Sequence, residues 1–417
     1  MSTTATARHG QKLADMLMKI AALAAIVLSA FQIWQGMTAE LAAPVFRPVH
    51  LSWILVLVFL TQPLIKESHS FPLYLAARCV DFALSAATIW ATWHIIQFDY
   101  DDISFLLDGL KGPDQLAGLI TIVALLEATR RSVGMVMVVI AAVFITYALF
   151  GDALPSGIAS KGFELEELIR FHIFSTNGVY GAPLAIAAGV VFIFVLFGAF
   201  LQVTGAGQFF IDIAFAVAGK YRGGPAKASV IASAALGSIS GSAIANTVTT
   251  GSLTIPMMKK LGYKPEQAAG IEAAASTGGQ IMPPVMGAGA FVMAQFTGIP
   301  YSEILLVSIA PAILYFACTL LYVHLMACKL GLEGMDVKAG VREVLKNGWH
   351  FLAPLILVTA LLMMSYSPEL VGIAGCVAVL VSALCRKSSR VSLRQVLEGM
   401  KEGALMALPI SVACATA

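Results

Sequence analysis

Residues 228–258, ASVIASAALGSISGSAIANTVTTGSLTIPMM, carry no charge, yet they lack the pattern of a membrane-spanning helix. The two ends are apolar, and the middle, Gly237–Asn246 (GSISGSAIAN), is dominated by small and polar side chains. A spanning helix needs about 20 consecutive apolar residues, and each arm here is about half as long. Both flanks are basic, with Lys220, Arg222 and Lys227 before the stretch and Lys259, Lys260 and Lys264 after it. Positive charge marks the cytoplasmic side of a membrane. Both ends are therefore expected on the same side, with the chain dipping into the bilayer and returning as a re-entrant hairpin. Irregular backbone at membrane depth survives only where protein or a water-filled cavity satisfies it. A turn of small residues at mid-depth is what an ion or solute site requires.

The rest of the chain fits a membrane. It is 59% apolar and only 12% charged, with a mean hydropathy of +0.85, whereas a soluble domain carries about 25% charged residues. A formal charge of +2 argues against a nucleic-acid partner. Six cysteines (Cys79, Cys318, Cys328, Cys376, Cys385, Cys414) are scattered without a CxxC pair and read as small apolar helix residues. The seven histidines show no metal-ligand spacing. No metal centre or cofactor is expected. The basic and then apolar N-terminus reads as an uncleaved first span.

Apolar runs at 17–35, 50–65, 73–97, 114–128 and 132–150 read as spans, and the connections between them alternate in charge. The N-terminus is basic, and the third connection is basic near Lys66 and Arg78. The fourth is acidic (Asp99, Asp101, Asp102, Asp108), and the fifth carries Arg130 and Arg131. This alternation puts the N-terminus in the cytoplasm and residues 98–113 outside. FELEELIRFHIF, Phe163–Phe174, has the period of an amphipathic helix lying on the outer surface. Further spans are expected at 183–203, 303–327, 349–365 and 370–385.

The uncharged run 273–302 is the second unusual feature. A glycine pair and a proline pair interrupt AAASTGGQIMPPVMGAGAF (Ala273–Phe291). Two prolines remove two backbone donors, and Gly278–Gly279 loosens the turn before them. A break is expected between Thr277 and Gly289. A broken helix beside a re-entrant hairpin is how secondary transporters build an ion site from half-helix termini and freed carbonyls. Glu272 lies just before the break, and a carboxylate inside a membrane is a functional candidate. Its position near the cytoplasmic end leads us to expect that it reaches water or pairs with Lys264. Arg78 and Asp81, at i and i+3, read as a local ion pair. His94 and Asp212 read as interface residues; the acidic loop at 99–108 reads most simply as a solvated face, with a docking surface for a binding protein as the alternative there and at the 163–174 helix. Residues 403–417 start a helix about 22 Å long, short of the ~30 Å hydrocarbon core. The expectation is a fragment of a longer, inverted-repeat protein.

GSISGSAIANTVTTGSLTIPMMKKLGY (237–263) followed by EAAASTGGQIMPP (272–284) resembles the large permease subunit of tripartite ATP-independent periplasmic (TRAP) transporters over about residues 180–417. The spans before it, with the LLEATRR junction (Leu125–Arg131), look like the small membrane subunit fused in front, as in the TAXI-type branch. The resemblance implies an all-α polytopic bacterial inner-membrane protein with an elevator-type inverted-repeat fold. It divides the chain into a small-subunit-like region (1–131), a connecting span with the outer helix (132–182) and a large-permease region (183–417). Within the last, the first repeat (183–327) is complete and the second truncated. It also implies uptake of an organic anion, such as a C4-dicarboxylate, delivered by a periplasmic solute-binding protein and driven by sodium. Carried over by position, the ion and substrate site comprises Gly237, Ser238, Ser240, Gly241, Ser242, Asn246, Thr247, Ser276, Thr277, Gly278, Gly279, Pro283 and Pro284. Ser240, Gly241, Ser242, Thr277 and Gly278 are the sodium candidates, and the prolines hold the break open. The chain departs from the common family pattern at Ser242–Ala243, where paired serines are usual, and at Val285, where PPS is usual; Asn246 and Thr247 are placed to compensate. The alternatives are proton coupling, or a hairpin-containing carrier without a binding protein. No pairing of acids, histidines or an activated nucleophile points to an enzyme, and one asymmetric hairpin does not line a continuous pore.

Overall fold

The computed structural model describes residues 2–65, 71–100, 109–336, 340–386 and 389–417, with side chains from residue 11 onward except at 71. Lys66 and the acidic residues Asp101, Asp102 and Asp108 lie outside the described residues. Every regular element among the described residues is helical: α1 (Ser2–Thr38), α2 (Ala43–Thr61), α3 (Phe71–Ile96), α4 (Gly112–Ser132), α5 (Met135–Phe150) and α6 (Leu165–Ile173). Next come α7 (Ala182–Val203), α8 (Ala206–Ala218), α9 (Gly224–Ser240), α10 (Ala243–Leu261), α11 (Pro265–Gly278), α12 (Ala288–Thr297) and α13 (Tyr301–Lys329). The last four are α14 (Val341–Gly348), α15 (Leu352–Met363), α16 (Pro368–Leu384) and α17 (Leu393–Thr416).

Seven helices among the described residues are long and apolar enough to cross a membrane, so the chain is a polytopic membrane protein. Two of the expected spans do not reach that class. Residues 114–128 fall in α4, which carries Asp114, Glu127, Arg130 and Arg131, and 370–385 fall in α16, a shorter apolar helix. The arms of the hairpin, α9 and α10, are also outside it.

The chain divides into two compact units, Met1–Gly189 with Ala404–Ala417, and Val190–Gly403. In the first, Leu17, Ala21, Ala25 and Leu28 form one buried stripe on α1, while Ile20, Leu23 and Val27 on its other faces are exposed. A helix that is apolar all round belongs in lipid. The unit is tied by charge. Arg78 and Asp81 do pair (3.4 Å), but the closer partner of Asp81 is Arg131 at 2.6 Å. Arg131 also reaches Glu127 at 2.7 Å, and Arg78 donates to the Phe59 carbonyl at 3.0 Å. The expected local pair is thus one link of a network joining α2, α3 and α4. The His94 ring N–H donates to the Asp114 carboxylate at 2.7 Å. Glu164 and Glu167 form a capping box at the start of α6, which buries Leu168, Ile169 and Ile173 on one face, the amphipathic pattern of its sequence.

The second unit is built around α9. Its core gathers Ala226 and Val230 of α9, Met258 of α10, Ala268, Ile271 and Ala275 of α11, and Phe316, Val323 and Ala327 of α13. Small residues let these backbones approach closely, which is how helices associate where the hydrophobic effect is weak. Asp212, read as an interface residue, is exposed within its unit and accepts from Gln208 at 2.7 Å.

A helical hairpin tip against a helix break

Helix α9 starts after Gly223 (φ +69°) with Pro225 in its first turn. Both residue types suit a helix start. It ends at Gly241, whose φ of +60° reverses the chain and whose N–H donates to the Gly237 carbonyl at 2.9 Å. Ser242 then caps α10, its hydroxyl accepting from the Ala245 N–H at 3.3 Å. The expected hairpin is therefore present, with its turn at Gly241–Ser242.

The expected break is also present, but it begins later. Ser276, Thr277 and Gly278 remain in α11. One 3-10 turn, Gly279–Ile281, follows, and the chain stays non-helical through the cis Pro283–Pro284 bond to Gly287. The helix persists to Gly278 because the backbone N–H groups up to that point have partners four residues back; the donors are lost only at Pro283 and Pro284. The open segment is pinned from both sides. The Val285 N–H donates to the Ser238 carbonyl at 3.1 Å, and the Tyr301 hydroxyl reaches the Pro284 and Val285 carbonyls at 3.0 and 2.7 Å.

The two features meet backbone to backbone. A Cβ on Gly237 would lie 2.3 Å from the Gly279 Cα, and one on Gly241 would lie 2.0 Å from the Met286 carbonyl oxygen. Four helix ends thus converge. The C-termini of α9 and α11 present carbonyls, the negative end of the helix dipole, which favours a cation. The N-termini of α10 and α12 present N–H groups, which favour an anion. Gly241 and Gly287 bring these two starts together, since a Cβ on Gly241 would lie 3.3 Å from the Gly287 Cα.

Of the residues singled out by sequence, Gly237, Ser238, Ser240, Gly241, Ser242, Asn246, Gly279, Pro283 and Pro284 lie at or beside this meeting. Thr277 is exposed and its hydroxyl donates to the Ala273 carbonyl at 2.7 Å. Gly278 packs against Tyr315, since a Cβ there would be 2.3 Å from the ring. Thr247 bonds back to Ala243 O (2.8 Å) and Ser238 to Ala235 O (2.7 Å). These hydroxyls donate their protons to carbonyls of their own helices. Asn246 is the exception. It is 1% exposed, its Nδ2 donates to the Ser233 carbonyl at 2.8 Å, and its Oδ1 has no partner. The carbonyl at Ser233 requires the nitrogen on that side, so the unpaired atom is the acceptor. Asn246 also lines a narrow crevice with Gly198, Gln202, Ser240 and Thr249, wide enough for about one water-sized particle.

Glu272 departs from expectation most. It is fully buried and meets neither water nor Lys264. Its Oε1 accepts from Ser233 (3.0 Å), Ser276 (3.1 Å) and Thr250, and its Oε2 from Ser229 (2.6 Å) and Thr254 (2.5 Å). The signal for this cage was present in the sequence as three polar i, i+4 pairs, 229/233, 250/254 and 272/276, in otherwise apolar surroundings.

The family model described as "Tripartite ATP-independent periplasmic transporter, DctM component" matches residues 120–417, a longer stretch than the resemblance over 180–417. The chain is 26% identical over 195 residues to a "Putative TRAP transporter large permease protein" of Haemophilus influenzae, covering 46% of this chain and 45% of that relative. It is 29% identical over 157 residues to the "2,3-diketo-L-gulonate TRAP transporter large permease protein" of Escherichia coli, covering 38% and 35%. To the "C4-dicarboxylate TRAP transporter large permease protein" of Pseudomonas aeruginosa it is 27% identical over 204 residues, covering 48% and 47%. The chain spans less than half the length of these relatives.

Proposed function

Because this chain belongs to the family of the tripartite ATP-independent periplasmic (TRAP) transporter DctM component, we propose that it acts as the membrane permease of such a system. In this reading it imports an organic anion handed over by a periplasmic solute-binding protein, and an inward sodium gradient drives the step. The orphaned Asn246 Oδ1, beside the backbone contact of Gly237 with Gly279, carries the reading. A buried acceptor without a donor costs about 1–3 kcal/mol. A hard cation removes that cost and takes oxygen ligands, here Asn246 Oδ1 with carbonyls from the ends of α9 and α11. Ser240, Gly241 and Ser242 stay in the candidate set, and Thr277 and Gly278 stay in it through their carbonyls at the end of α11, the Thr277 hydroxyl being turned to the Ala273 carbonyl.

The paired N-termini of α10 and α12 suit an anion at the same place. Relatives named for C4-dicarboxylate and 2,3-diketo-L-gulonate transport support a carboxylate-bearing substrate. The charge alternation of the loops supports an inner-membrane protein with a cytoplasmic N-terminus, and the spans before residue 120 support a fused, TAXI-type arrangement. The test is uptake of a panel of organic acids into proteoliposomes carrying the full-length protein, with its binding protein, with and without an inward sodium gradient. Saturable uptake that needs both is expected. Uptake indifferent to sodium overturns the coupling assignment, and uptake without the binding protein overturns the handover.

A further inference from the structure

Helix α9 starts within KYRGGPAK (Lys220–Lys227), and positive charge collects there without compensation. The start has neither a side-chain cap nor an acid in its first turn. The Gly223 N–H donates to the Glu333 carbonyl at 3.1 Å. Pro225 has no N–H, and the N–H of Gly224, a buried residue, meets no acceptor among the described residues. A helix start favours anions and disfavours cations, yet two cations stand here. The Arg222 guanidinium has one partner among the described residues, the Cys328 sulfur at 3.9 Å. Lys227, in α9 itself, donates to His324 Nδ1 at 3.1 Å, and a ring nitrogen that accepts brings no negative charge. His324 Nε2 in turn lies 3.8 Å from the same sulfur. Glu333 is exposed, and among the described residues no carboxylate pairs with Arg222 or Lys227.

A second observation points into the same turn. Tyr263, in the link between α10 and α11, is 3% exposed, and its buried hydroxyl has no partner. That hydroxyl is aimed at the start of α9: a Cβ on Gly223 would lie 2.7 Å from its oxygen and 2.5 Å from the Ala327 Cβ. Glycine is required at 223 by this crowding and by a φ of +69°. Ala327 adjoins Cys328, so the Tyr263 hydroxyl, the Gly224 N–H and both cations lie around one spot. All four are donors, and buried donors left without an acceptor cost free energy.

We propose that the start of α9 binds a phosphate group, with Arg222 and Lys227 as its counter-charges and the Gly224 N–H and the Tyr263 hydroxyl as its neutral donors. Backbone N–H groups at a helix start suit such an anion, and the guanidinium fork takes two phosphate oxygens at once. A phosphate ester points its oxygens in several directions, as donors arriving from a helix start and from the loop beneath it require; a carboxylate holds two oxygens in one plane. The phosphate has two sources, a soluble phosphate and the headgroup of an anionic phospholipid. Leu314, Leu321 and Leu325 of α13 are exposed and lead along one face of that helix to Cys328, a path for an acyl chain. The site lies at the opposite end of α9 from the hairpin tip and stands or falls apart from the transport reading.

The experiment measures two probes on the purified full-length protein in an uncharged detergent. Radiolabelled inorganic phosphate is bound in equilibrium dialysis at fixed ionic strength, and dioleoyl-phosphatidylglycerol is retained in native mass spectrometry. Saturable binding of at least one probe is expected, weakened about tenfold or more in Arg222→Gln and in Lys227→Gln and unchanged in Lys346→Gln, an exposed lysine of α14. Tyr263→Phe should weaken binding severalfold, yet in chloride it should unfold no lower than wild type, because the hydroxyl it removes has no partner. That pairing separates a lost ligand contact from a damaged fold. Binding of phosphate alone assigns the soluble source, and retention of the lipid without phosphate binding assigns the headgroup. No saturable binding of either probe overturns the proposal, as does binding that Arg222→Gln and Lys227→Gln leave unchanged.

Discussion

Gly237→Ala tests the contact on which the site depends. The position is inside α9, where exchanging glycine for alanine is worth about 0.8–1 kcal/mol in helix propensity. Without the contact, the variant would be more stable than wild type. The structure predicts the opposite sign. The new Cβ would lie 2.3 Å from the Gly279 Cα, while carbon atoms pack at about 3.5–4.0 Å. The shortfall exceeds 1 Å by that comparison, roughly, and the obstacle is backbone, which cannot rotate aside. Overpacking of this kind costs about 1–3 kcal/mol, and the upper end applies where neither partner is a side chain. The net expectation is destabilisation by about 1–2 kcal/mol. Gly270→Ala is the matched control: it also lies within a helix, α11, but nothing lies within 4 Å of its added Cβ, so it should stabilise by up to about 1 kcal/mol. Thermal unfolding of the two variants in one detergent should give midpoints on opposite sides of wild type, separated by on the order of 2 °C or more. A Gly237→Ala midpoint at or above that of wild type would refute the packing of the hairpin on the break.

Other consequences follow from the same geometry. Sodium chloride, compared with choline chloride, should raise the unfolding midpoint of the wild type, a stabilisation of about 2.7 kcal/mol at a hundredfold excess over the dissociation constant. Asn246→Ala should abolish that shift, and an undiminished shift would remove Asn246 from the ion site. Arg131→Met leaves buried Asp81 with the longer Arg78 contact as its one remaining ion pair among the described residues and should destabilise by about 3–5 kcal/mol, read by thermal melting; a change under about 1 kcal/mol, the size of a surface pair, would contradict the network. Gly241→Leu should abolish uptake, because the site needs backbone at the tip. The Met286 carbonyl 2.0 Å from its Cβ and its φ of +60° mean that the folded yield should fall as well. Wild-type yield and uptake together would discard the tip assignment.

The hairpin, its turn and the helix break could be read along the chain because each is a local event. Lysines at both ends of an uncharged stretch specify a return, Gly241 specifies the reversal, and Pro283–Pro284 specify lost donors. A residue whose surroundings are set by neighbours in space is not legible in this way. The resemblance carries Ser276 and Thr277 over together as neighbours in one motif. Helix geometry turns one toward Glu272 and the other to the surface, because neighbouring positions on a helix face different ways. The pair Arg78–Asp81 was visible from its i, i+3 spacing, but Arg131, fifty residues on, was not.

Sequence alone determined that this chain enters a membrane, that it does so as helices, and that two segments interrupt the pattern. These follow from composition, period and charge, which act residue by residue on partition into the bilayer. Tertiary structure alone decided which oxygens gather. Five hydroxyls reach Glu272 from three helices, and Gly237 meets Gly279. Hydrogen bonds and backbone contacts act over a few ångströms, and only the packing of α9, α10 and α11 sets which groups, distant along the chain, come within that reach.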